Sequence, residues 1–176
     1  MQIQRVTGAA LRSVRICAAL ALCAVPAHAG GTLDGRIVTL NVLTYDDPAA
    51  PILESRGRTV TVGEGIEFGM GPEFRTPGFD VVPVQVQIGP SRIEFSYGDV
   101  PGEFWTAAFN GYVLRFETDC ALFDGWRIDT AATTMPVTEA DIHAEGGALY
   151  INVSGLTYGP EATLAVDLSV TDCPLS

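Results

Sequence analysis

From residue 30 onward no stretch of the chain shows helical periodicity, while strict alternation of apolar and polar residues recurs throughout. Val38, Leu40 and Val42 alternate with Thr39 and Asn41, and Val60 and Val62 with Thr59 and Thr61. Ile66 and Phe68 flank Glu67. Val82, Val84, Val86 and Ile88 face away from Pro83, Gln85 and Gln87, with Pro83 pointing to a sheet edge or a bulge. Ile93, Phe95 and Tyr97, then Leu114 and Phe116, then Leu164, Val166, Leu168 and Val170, complete the set. Glycine and proline punctuate between the runs, as at Thr76-Pro77-Gly78, Gly89-Pro90 and Val100-Pro101-Gly102. A strand with one apolar face must bury it against another layer. About nine such strands predict an all-β protein: a two-layer antiparallel β-sandwich of jelly-roll or immunoglobulin-like topology. Ala131 to Pro136 lacks alternation and reads as a crossover loop.

One hairpin can be written with its register. Gly146-Gly147 is a two-residue turn of the kind that primed geometries favour. Counting outward pairs Glu145 with Ala148, Ala144 with Leu149, His143 with Tyr150, Ile142 with Ile151 and Asp141 with Asn152. That register gathers Ile142, Ala144, Leu149, Ile151 and Val153 on one face as core. Asp141, His143, Glu145, Tyr150 and Asn152 fall on the other. A slip of one residue would mix the two sets.

The first 29 residues read differently. Arg5, Arg12 and Arg15 precede an apolar run from Ile16 to Val25, and Ala27-His28-Ala29 offers a small-x-small cleavage site. This is the layout of a secretory signal peptide. The run of 10 residues is too short for a membrane span of about 20. The expected mature protein is one domain, residues 30–176, secreted to the periplasm or the extracellular space, with no later membrane span. All 21 acids but only seven of the ten arginines lie after residue 29, giving a net charge of −14, and lysine is absent. Such a surface repels phosphate backbones and anionic headgroups, which argues against nucleic acid as a partner. Cys17 and Cys23 belong to the leader. Cys120 and Cys173, each ending a Thr-Asp-Cys tripeptide, read as one disulfide in an oxidising compartment.

Four motifs carry a family resemblance: Val62-Gly63-Glu64-Gly65-Ile66-Glu67-Phe68, Phe109-Asn110-Gly111-Tyr112-Val113, Leu149-Tyr150-Ile151-Asn152-Val153-Ser154-Gly155-Leu156 and Val166-Asp167-Leu168. In this order they resemble exported bacterial proteins of the PEP-CTERM type, over about Val38 to Val170. The resemblance implies a small all-β domain of unknown function outside the cytoplasm and supplies no catalytic residues. Those proteins commonly end in a Pro-Glu-Pro motif, an apolar helix and a basic tail. No such tail occurs here, and the Cys120/Cys173 pair is not one of their features.

Several chemistries find no footing. His143 is the single histidine after residue 29, so a two-histidine metal site within one chain is excluded. No GxSxG elbow, P-loop or GxGxxG fingerprint occurs. His143 lies between Asp141 and Glu145 and opposite Tyr150 and Asn152. That cluster either orients a base or holds a cation, or it is an ordinary solvated strand face. Calcium is the ion best suited to the oxygen-rich inventory, with Asp46, Asp47, Asp119 and Asp124 as candidate ligands against a plain turn-forming role. Trp105 and Trp126 would stack on sugar rings if exposed and fill the core if buried.

These features lead to an exported β-sandwich of unknown function, non-catalytic, acting structurally or by binding in the envelope or extracellular matrix. Its partner would be extracellular polysaccharide or an envelope protein. The alternatives are a calcium-assisted carbohydrate-binding module and a secreted carboxylate-dependent glycan hydrolase.

Overall fold

The structure, a computed structural model, describes residues 31–70, 82–118 and 122–172. The leader, Asp119, Cys120 and Cys173 lie outside the described residues. Thirteen strands are present among the described residues: β1 (Ile37–Tyr45), β2 (Leu53–Glu54), β3 (Arg58–Thr61), β4 (Ile66–Phe68), β5 (Val84–Gly89), β6 (Arg92–Tyr97), β7 (Gly102–Glu103), β8 (Phe109–Phe116), β9 (Phe123–Ile128), β10 (Ile142–Glu145), β11 (Ala148–Asn152), β12 (Thr157–Tyr158) and β13 (Thr163–Val170). Nine have four residues or more; of the four short ones, β2, β7 and β12 are edge or bridging pieces that alternation alone does not reveal.

Two antiparallel sheets pack face to face. The first runs β10-β11-β8-β1-β2, with β3 also paired to β1, and the second runs β4-β5-β6-β13-β9. A two-residue ladder of β7 and β12 stands apart from both. The inner faces meet in one core. Val38, Leu40, Leu114, Phe116, Leu149 and Ile151 come from the first sheet; Val86, Ile88, Ile93, Phe95, Leu164 and Val166 come from the second. The runs read from sequence supply most of it; Leu33, Phe104, Tyr112, Leu122, Ile128, Met135 and Val137 join from outside those runs.

The β10–β11 hairpin has the predicted register from Glu145↔Ala148 to Ile142↔Ile151. Gly146 and Gly147 take φ of 56° and 74°, the left-handed pair that a type I′ turn requires. Strand β10 begins at Ile142, so the predicted fifth pair does not form; Asp141 belongs to a short 3-10 turn, Glu139–Asp141. Ala131 to Pro136 is indeed loop, and it carries the chain from β9 in the second sheet to β10 in the first.

Two local readings need correction. Ile66 and Phe68 were expected to share a buried face opposite Glu67, but the β4–β5 register shifts between Ile66 and Phe68. This bulge leaves Ile66 43% exposed and Glu67 only 6% exposed. The Glu67 carboxylate accepts N–H bonds from Ile88 at 2.7 Å and Gly63 at 3.1 Å. It thereby satisfies the buried Ile88 N–H beside the bulge and the Gly63 N–H in the loop before β4. Pro83 sits immediately before β5, an interior strand, so its missing N–H costs no ladder bond.

The outer face of the first sheet is also less polar than alternation suggests. Phe109, Val113 and Ala148 are buried there beneath Leu43, Tyr45 and Tyr150. Strand β8 is therefore covered on both faces, with Arg115 its one exposed residue. On the second sheet the outer face is ionic. Arg92 contacts Glu94 at 2.6 Å, Asp167 at 2.7 Å and Asp129 at 2.8 Å. The guanidinium holds the Asp129 carboxyl below its ordinary pKa, helped by the Ala131 backbone N–H.

Replacing Glu67 with alanine orphans the buried Ile88 N–H beside the bulge and should cost about 1–3 kcal/mol in urea unfolding. Ile66→Ala, on the exposed neighbour, should change stability by less than about 0.5 kcal/mol. Equal effects of the two substitutions would contradict the bulge.

Candidate functional site

The two long sides of the sandwich differ. On one, β9 of the second sheet and β10 of the first are joined through the 3-10 turn. There Trp126 Nε1 donates to the Glu139 carbonyl at 3.1 Å, and the Ile128 N–H to Glu139 Oε1 at 3.2 Å. On the other side, β2 and β3 lie near β4 and β5 across a cleft of about 420 Å³. A cleft of this size falls in the range that holds small ligands.

Its walls follow from the strand pattern. Inward residues Leu40, Val42 and Tyr112 of the first sheet face Phe68 and Val84 of the second, with Leu53, Ile52 and Val82 toward the mouth. The β7–β12 ladder closes one end. Phe104 and Tyr158 stand 4.9 Å apart between ring centres, and both contact Tyr97. Phe104 also meets Tyr112 edge to face at 6.2 Å. This aromatic group ties the small ladder to both sheets. Within it, burial pushes the Tyr97 and Tyr112 phenols well above the ordinary tyrosine pKa. The two hydroxyls influence each other's ionisation, yet neither finds a partner in hydrogen-bond geometry among the described residues.

Polar groups in the wall are few and mostly engaged. Thr44 Oγ1 donates to Asn110 Oδ1 at 2.9 Å, and Asn110 Nδ2 donates to the Trp105 carbonyl at 2.6 Å. Thr44 and Asn110 are both buried. This relay fixes the backbone of Trp105, whose side chain stands 72% exposed on the rim. Arg58 lies over the Phe68 ring at 5.8 Å, and Glu103 is an exposed carboxylate of the lining.

The sequence-nominated residues separate accordingly. Trp105 is open and lines the cleft; Trp126 is half-buried, packs on the core and is hydrogen-bonded on the opposite side. His143 stacks on Tyr150 at 4.4 Å with their planes 7° apart, as the hairpin register requires. Glu145 is exposed beside them, whereas Asp141 and Asn152 are committed elsewhere. Asp141 Oδ2 accepts from the Thr138 N–H and hydroxyl, capping the 3-10 turn. Asn152 Oδ1 accepts from the Asn110 and Ser154 N–H groups, and its Nδ2 donates to the Ala108 carbonyl. Asp47 accepts from the Ala49 N–H, a turn role, and Asp46 from the Ala108 N–H of a segment distant in sequence, while Asp124 is exposed on β9. No group of three or more potential metal ligands occurs among the described residues. No helix among them is long and apolar enough to cross a membrane.

Sequence reasoning missed the cleft. Its residues come from segments as distant as Leu40 and Tyr158, and its aliphatic wall residues read in isolation as ordinary core. Compared with known proteins, the chain matches no family model, no curated protein and no solved structure.

Trp105→Ala should leave stability within about 0.5 kcal/mol, because the ring is mostly solvated. Trp126→Ala should lower it by about 2–4 kcal/mol through lost packing. Chemical denaturation with both variants checks the contrast, and acrylamide should quench the Trp105 emission in preference to that of Trp126.

Proposed function

We propose that this chain is an exported, non-catalytic binding protein of the envelope or extracellular matrix, and that it takes its ligand in the cleft beside Trp105. The observation carrying this reading is the combination of an apolar cleft with an aromatic side chain left open at its rim. Leaving aromatic surface in water forgoes about 25 cal/mol per Å² of burial, a gain that a ligand covering the ring would recover. The exposure of Trp105 also favours a second reading, carbohydrate stacking on the indole face, with calcium as a separate requirement.

The experiment is a titration of tryptophan emission in the mature protein. A polysaccharide panel, with and without chelator, is run alongside a neutral apolar dye, for wild type and Trp105→Ala. Saturable binding that Trp105→Ala weakens is the expected result. Absence of binding by every probe would sink the reading.

The same proposal includes a Cys120–Cys173 disulfide. Its support is the β9–β13 ladder, in which Val170 pairs with Phe123 and the Thr171 N–H donates to the Leu122 carbonyl at 2.8 Å. Each cysteine lies two residues beyond that bond along its own chain. Paired residues of an antiparallel ladder have Cα separations of about 4.5–5.5 Å, inside the range that a disulfide bridges. Unfolded, unreduced exported protein should show no free thiol, and two after reduction. In the chain-entropy model, removing the bridge costs about 4 kcal/mol.

A further inference from the structure

We infer that the cleft selects an uncharged apolar group, such as the alkyl part of a free single-chain amphiphile, rather than a sugar. This rests on the binding-site reading above and adds the ligand class. A sugar ring presents hydroxyls on all sides and needs several free hydrogen-bonding groups in the wall. Here Thr44 and Asn110 are joined to each other and to the Trp105 carbonyl, and Arg58 lies against Phe68. Leu40, Val42, Leu53 and Val84 offer only aliphatic contact. The rim continues the same character, with Ile52 54% and Trp105 72% exposed. Glu103 offsets Arg58 in the lining, and the net charge of −14 after residue 29 disfavours an anionic ligand. The same charge repels anionic bilayers, and the source assigned is a dispersed molecule, with neutral vesicles as the check.

The probe is N-phenyl-1-naphthylamine, a neutral dye that brightens in apolar sites, titrated into the mature protein. Competitors are 1-decanol, decanoate and a β-glucan hexasaccharide. The expected result is one dye per chain, displaced by decanol at least tenfold better than by decanoate and not by the hexasaccharide. Val42→Phe, which fills the cleft, and Ile52→Glu, which places charge at the exposed rim, should each weaken dye binding at least tenfold. Ile52→Glu should keep the wild-type melting temperature, so the test survives if Val42→Phe does not fold. Displacement by the hexasaccharide, or hexasaccharide binding alone, overturns the ligand class and leaves the binding-site reading standing. Failure to bind any probe, the result if the chain's own residues fill the cleft, overturns both. Co-sedimentation with neutral phosphatidylcholine vesicles at equal total alkyl concentration should be absent, and its presence would overturn the assignment to a dispersed ligand.

Discussion

The sandwich depends on β8, a strand that has no solvated face. Its inward residues Tyr112, Leu114 and Phe116 join the main core, and its outward residues Phe109 and Val113 form a second, smaller one. It pairs along eight residues with β1 and along five with β11, so both neighbours take their position from it. At Gly111 the approach is so close that an added Cβ would collide with the Ile151 carbonyl. Only glycine allows β11 to pack there. The first sheet is thereby set at the point where Asn110 and Tyr112, on either side of that glycine, enter the cleft.

From this fixed centre the two flanks of the molecule diverge. One is fastened by a single indole N–H and a glutamate that bonds through both backbone and side chain. The other keeps its layers apart around aliphatic walls, braced at one end by the rings of Tyr97, Phe104, Tyr112 and Tyr158. The fastening of the first flank keeps the second open. A cleft between two sheets holds its shape only if the sheets cannot hinge shut or slide.

What could be read from the sequence is what period two and turn chemistry decide locally. The Ile142–Ile151 register follows from Gly146-Gly147 and from the agreement of both faces, and the structure has it. The Glu67 bulge was illegible because its partner donor, Ile88, belongs to a strand 21 residues away. The exposure of Trp105 and the partial burial of Trp126 were equally hidden. Both rings follow apolar or turn residues, and what separates them is the side of the sandwich on which each emerges. The His143 cluster failed for a related reason. Strand alternation predicts which way a side chain points, yet Asp141 and Asn152 are held by hydrogen bonds to turns and loops beyond the hairpin.

The 3-10 turn beside β9 has a consequence for behaviour at high concentration. An unpaired strand at the margin of a sheet is a template on which a second molecule can add its own strand, and repetition of that step grows fibres. At β9 the Trp126 ring and the Ile128 N–H already have partners in Glu139, so an incoming chain would have to displace them. The turn that joins the two layers therefore also acts as a guard against polymerisation along that margin.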